Sequence, residues 1–119
     1  MDNNVNILEC VKAIYKAIDD KKGENISVID VRKISPLADY FILATADNIQ
    51  QMKAIRDNVE EAMMAYKTYA KSVEGDNNST WILIDYKDIV VNIFNRESRT
   101  FYNLDKLWSD GADITESCK

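Results

Sequence analysis

The apolar positions of this chain change period along its length, and each change marks an element. Val5, Leu8, Val11, Ile14 or Tyr15, and Ile18 recur at spacings of three and four, which predicts an amphipathic helix over residues 4–21 with one face laid on a core. Asn3 or Asn4 is placed to cap its start, and Lys21, Lys22 and Gly23 to close it with positive charge and a flexible exit. Residues 26–31 then alternate and become β-branched, which reads as a first strand. Pro36 lacks the backbone donor a strand interior needs, so residues 33–38 form a turn before a second strand at 39–46. Asp47 with Gln50 resembles a capping box, after which Met52, Ile55, Val59, Met63 and Tyr66 return to helical spacing. A strand, a helix and a strand in succession normally make a right-handed parallel crossover, which places residues 69–73 as a strand beside an earlier one. Residues 75–80 are polar and turn-rich, a solvent-facing connection.

Two apolar runs, 81–84 and 89–94, flank the polar turn Asp85-Tyr86-Lys87-Asp88 and predict an antiparallel hairpin. With Tyr86 and Lys87 as a two-residue loop, position 85 pairs with 88, 83 with 90 and 81 with 92. That register puts Ile82, Ile84, Ile89, Val91 and Ile93 on one aliphatic face, and Trp81, Leu83, Val90, Asn92 and Phe94 on the other. Both faces are apolar enough to be covered, so the hairpin is central in its sheet. A β-carbon at positive φ costs roughly 1–2 kcal/mol, so with Lys87 in the turn a longer loop is the alternative. Residues 96–108 make one or two short helical turns, and residues 111–119 read as a polar, mobile tail. The order α-β-β-α-β-β-β-α gives an α/β (α+β mixed) fold, a mixed sheet of about five strands with packed helices, forming a single domain over residues 1–110.

Composition narrows the function classes. A chain of 119 residues supports one core. Its net charge of −5 argues against a broad duplex-binding surface or a dedicated nucleic-acid site, and favours basic partners. The amino terminus lacks a basic start and a continuous apolar core, and no apolar run approaches the ~20 residues of a membrane helix, so the expected location is cytoplasmic. Cys10 and Cys118 have no CxxC spacing, and there is no histidine to complete a zinc site. They read as a buried thiol and a tail thiol, with no metal and no cofactor implied.

The stretch VEGDNNSTWILIDYKDIVVNIFNRESRTFYNLDKLW, together with SPLADYFILATADNIQQMKAI over residues 35–55, is similar to the two recurrent segments of the ribosomal silencing factor, or iojap, family. Lys87 stands where a glycine is common in that pattern, Asn92 where histidine is common, and Gln50 where arginine is common. The resemblance implies an α/β scaffold shared with the nucleotidyltransferases. It also implies docking on the large ribosomal subunit through ribosomal protein L-fourteen, blocking association with the small subunit and repressing translation.

A nucleotidyltransferase-like scaffold invites an enzyme reading, since that chemistry holds metal ions against phosphates with paired strand carboxylates. No predicted strand carries Asp-x-Asp or Asp-x-Glu. Asp85 and Asp88 come nearest, but Asp flanking a hairpin turn is ordinary turn chemistry. Without histidine or an activated cysteine, hydrolysis and acyl transfer lose their usual groups, so the expectation is a binding protein and not an enzyme. A nucleotidyltransferase with displaced ligands and a homodimerising module using a strand edge are the alternatives. Aromatic residues supply both core area and interface anchors. Phe94 and Phe101 are assigned to packing, while Trp81, Tyr102 and Trp108 stay open between core and interface. The candidate partner-binding set is Trp81, Asp85, Tyr86, Arg99, Tyr102, Leu107 and Trp108. For Arg99 an ion pair with Glu97 or Asp105 is the competing role.

Overall fold

The computed structural model describes residues 6–75, 80–107 and 109–119. In chain order the elements are α1 (Ile7–Asp20), β1 (Glu24–Asp30), β2 (Tyr40–Thr45), α2 (Ile49–Met64), β3 (Ser72–Glu74), β4 (Trp81–Asp85), β5 (Ile89–Phe94), α3 (Arg96–Tyr102), α4 (Leu104–Leu107), β6 (Ala112–Asp113) and α5 (Thr115–Cys118). The strands form one mixed sheet in the order β3-β4-β5-β2-β1-β6, six strands where sequence gave about five. All neighbours are antiparallel except β2 and β5, which run parallel from Tyr40↔Ile89 to Thr45↔Phe94.

Helix α1 begins one turn later than its periodicity suggests. Asn6 is its cap, the side chain accepting from the backbone N–H groups of Leu8 and Glu9, and the expected caps Asn3 and Asn4 lie outside the described residues. Its carboxyl end closes with Gly23 N–H donating to Ile18 O and Lys22 N–H to Asp19 O, with Lys22 and not the glycine carrying positive φ, 66°. Gly23 is required for space instead. A β-carbon there would sit 2.3 Å from Ile18 Cγ2. Helix α2 is capped by Asn48, one residue after the expected Asp47; Gln51 rather than Gln50 completes the device, its Oε1 accepting from Asp47 N–H. Gln51 Nε2 also donates to the carbonyls of Lys21 and Lys22, which ties the start of α2 to the end of α1.

The helices α1 and α2 lie together on one face of the sheet. Cys10, Val11, Ile14 and Ile18 of α1 and Met52, Ile55, Val59 and Met63 of α2 are buried there against Val28, Ile42, Ile82, Ile84, Ile89, Val91 and Ile93. The five aliphatic hairpin residues expected on one face are thus all on it. Their register differs: Trp81 pairs with Phe94, Leu83 with Asn92 and Asp85 with Val90, so the loop is longer than two residues. A slip of two preserves every face, because side chains alternate with period two. The longer loop does not relieve Lys87, which still sits at φ 75°, under a hydrogen bond from Asp88 N–H to Tyr86 O. Replacing this exposed lysine by glycine removes the strain of a β-carbon at positive φ but adds chain entropy to the unfolded state. Lys87→Gly should therefore stabilise the protein by a net ~0.5–1 kcal/mol, read as a thermal midpoint raised by about 2–5 °C.

Two expectations about the edges are revised. Residues 69–73 do not form a parallel strand beside an earlier one. The strand here is Ser72–Glu74, antiparallel to β4 and exposed throughout, with Tyr69 exposed before it, and the parallel crossover from β2 lands on β5 after this excursion. At the other edge, residues 111–119 form structure in place of the expected mobile tail. Ala112–Asp113 pairs with β1, Ile114 N–H donates to Val28 O, and Thr115 Oγ1 accepts from Val28 N–H. Cys118 is consequently buried, not a tail thiol, and burial raises the pKa of both its thiol and that of Cys10. Elements of two and four residues carry too few apolar positions to show a period.

Candidate partner-docking surface

Among the described residues the second face of the sheet is covered at one end only, and this asymmetry makes the candidate site. Ile29, Val31, Leu43 and Phe94 are buried on that face with Trp81, Phe41 and Leu104 half-buried around them. Farther along it Leu83 and Val90 are half-exposed and Leu37 is 83% exposed. The cover is the segment α3–α4. Asn95 caps α3 by accepting from Ser98 N–H at 2.8 Å, and Asn103 ends it in the left-handed conformation at φ 50°, its N–H donating to Arg99 O. Asparagine tolerates that conformation better than most residues.

The break at Asn103 brings Arg99 and Asp105 together. Six residues apart on an unbroken helix, they would stand on different faces about 9 Å apart along the axis; here they form a two-pronged pair at 2.8 and 3.1 Å. The remaining donors of the guanidinium reach Asn25 O, Thr45 Oγ1 and Ser27 Oγ, so all five N–H groups are used. Asn25 presents its carbonyl because it adopts φ 50° where the β1–β2 register is interrupted. Hydrogen bonding from Arg99 holds the Asp105 carboxyl below its usual range. Arg99, only 13% exposed, is therefore a clamp fixing α3–α4 to the ends of β1 and β2, the competing role foreseen for it.

Once clamped, α3 projects aromatic rings. Trp81 at the start of β4 stacks on Phe94 with centroids 5.6 Å apart, Tyr102 leans on Trp81 at 5.0 Å, and Phe101 meets Tyr102 edge-on at 5.2 Å. Phe94 is buried, as assigned; Phe101 is not packed in the core but is 81% exposed, with Tyr102 47% exposed. An open concavity of about 840 Å³ lies beside them, lined by Thr80, Asn95, Arg96, Glu97, Phe101 and Tyr102 among others. Consecutive helical positions point 100° apart, so the Phe101-Tyr102 doublet could not bury both rings on one sheet; that was the legible signal for an exposed ring. Arg96 at the rim bonds both Glu24 and Asp47.

The other candidates divide. Asp85 Oδ1 accepts from Lys87 N–H at 2.7 Å, a turn role, and Asp85 ends β4 at the opposite end of the strand from Trp81 and the aromatic group. Tyr86 is buried at 3% exposure on the helix-covered face, where desolvation raises its pKa. It is therefore placed in the core and not on the candidate surface, because the long loop turns it inward. Trp108 and the side chain of Leu107 lie outside the described residues. Among the described residues no cluster of three or more acidic or cysteine side chains could hold a metal ion, and no helix is long and apolar enough to cross a membrane.

The family described as "Ribosomal silencing factor during starvation" matches residues 4–119, both sheet edges and the aromatic segment included. The chain belongs to the ribosomal silencing factor family. Over 112 residues it is 35% identical to the ribosomal silencing factor RsfS of Bacillus subtilis, covering 92% of this chain and 95% of that protein. It is 30% identical to the chloroplastic protein Iojap of Zea mays, covering 95% of this chain but 49% of that one. A crystal structure of a protein from Chromobacterium violaceum superposes with a TM-score of 0.85 at 30% identity, over 88% of each chain. The silencing-factor fold is thus the mixed sheet with its helices as described above, and membership makes the chain a factor of ribosomal silencing and translation regulation.

Proposed function

We propose that this silencing factor docks on the large ribosomal subunit through ribosomal protein L-fourteen and sterically blocks association with the small subunit, repressing translation in the cytoplasm. The observation that carries the reading is the run of rings Phe101, Tyr102 and Trp81, exposed or half-exposed on a base locked by Arg99. Rigid aromatic groups at a surface lose little entropy on docking and anchor interfaces. The net charge of −5 complements a basic partner. Occlusion requires binding alone. Trp81 and Tyr102 are the proposed anchors, Phe101 joins them, and the clamp Arg99 supports them from beneath.

The test is a density gradient. With isolated subunits, joined ribosomes should fall in proportion to occupancy of the large subunit by this protein, with no nucleotide consumed. Equal yields of joined ribosomes with and without saturating protein overturn the proposal. Stoichiometric magnesium-dependent binding of a nucleoside triphosphate would promote the enzyme alternative in its place.

A further inference from the structure

The buried amide of Asn92 has no explanation in the packing around it. It lies in the middle of the central strand β5, 0% exposed, between Leu83 on β4 and Leu43 on β2. Asparagine is disfavoured in strands, and an aliphatic side chain would continue the surface its two neighbours make. Its Nδ2 is buried and has no hydrogen-bond partner among the described residues, a cost an aliphatic residue would avoid. What the amide supplies is an acceptor: Trp81 Nε1 donates to Asn92 Oδ1 at 2.9 Å.

That bond fixes a direction. Trp81 is paired with Phe94, so its indole reaches Asn92 along the strand diagonal, lying nearly flat on Phe94 with 17° between ring planes. Stacking alone leaves the indole able to flip by a half-turn about χ2, presenting either of its faces to Phe94. A hydrogen bond from one edge selects one of the two, and with it the edge Trp81 offers to Tyr102 and to solvent. Resting on the docking reading above, we infer that Asn92 is a positioning residue for the docking face: its buried oxygen holds the Trp81 indole in the orientation that the ribosomal partner meets.

The experiment compares Asn92→Leu, which keeps the branched shape and removes the acceptor, with Asn92→Asp, which keeps an oxygen in the same place. Asn92→Val is carried alongside in case leucine overfills the site. Three quantities are read: co-sedimentation with purified large subunits, the thermal midpoint, and the Trp81 indole N–H resonance, assigned by its loss in Trp81→Phe. The aliphatic variants should bind about tenfold more weakly with a thermal midpoint unchanged or raised, and the indole proton should move and exchange faster with solvent. Asn92→Asp should melt lower yet bind within about threefold of the parent, an order that a purely structural role would reverse. Aliphatic variants that bind like the parent, while Trp81→Ala does not bind, overturn the positioning role and leave the docking reading standing. A parent protein that fails to sediment with large subunits overturns the docking reading, and this one with it.

Discussion

Replacing Arg99 by alanine should destabilise the protein by about 3 kcal/mol, the largest effect expected of any single change at a polar residue. The side chain is nearly enclosed and makes five hydrogen bonds to four residues on three elements. Its loss leaves the oxygens of Asn25, Ser27 and Thr45 without that donor and Asp105 without its counter-charge. In a chain of this length the thermal midpoint should fall by roughly 10–15 °C. Arg99→Lys should recover little, because one ammonium cannot span acceptors arranged for a planar fork. The pair also leaves a signature in acid. The pKa of Asp105 is lower in the folded protein than the ordinary 3.8, so its contribution is complete above that value and disappears as pH falls through the folded one. The parent protein should therefore lose stability over that acid range more steeply than Arg99→Ala. An alanine variant that melts with the parent would show that α3–α4 is held by its rings and not by the clamp.

Tyr102→Ala and Phe101→Ala should each weaken binding to large subunits by more than about tenfold while leaving the melting temperature almost unmoved, as expected of exposed interface anchors. Trp81→Ala should lose at least as much binding but also some stability, since its ring is half-buried against Phe94. Phe94→Ala is the contrast. A buried aromatic of this kind costs about 3–5 kcal/mol when removed, so it should unfold the protein readily whatever its partner. Sedimentation and melting curves on the same four variants separate the cases. Normal binding by both Tyr102→Ala and Phe101→Ala would move the docking surface to the open half of the sheet around Leu83, Val90 and Leu37.

The pattern of apolar residues disclosed the faces of this fold better than its connections. The hairpin faces survived a wrong register because a slip of two residues leaves alternation intact. The long helices were visible for the same reason that they are stable: each buries a full stripe of side chains. The pairing and exact place of β3, and the elements β6 and α5, were not visible, since exposed or very short segments are held mainly by backbone pairing rather than by a buried side-chain pattern. At the candidate surface, Trp81 and Tyr102 were singled out by their aromatic character and position, and Arg99 by its possible partner Asp105. The reach of Arg99 to Asn25, Ser27 and Thr45 depended on an irregularity in β1 that no periodicity encodes. Tyr86 was misplaced because its orientation turns on the loop length, and Phe101 because its neighbour was weighed without it.

The parallel pair β2–β5 bears on how the chain reaches its native state. The antiparallel pairs β1–β2 and β4–β5 join strands that are close in sequence, so each can form after a short loop closes. Tyr40 and Ile89, by contrast, meet across a sequence separation of 49 (89 − 40), with α2, β3 and β4 between them. Closing that distance costs entropy before the ladder repays it. This topology predicts that pairing along the central β2–β5 seam limits the folding rate: destabilising substitutions in that seam, Ile42 or Val91 for instance, are expected to act chiefly on the folding rate, and those in α3 and α4 on the rate of unfolding.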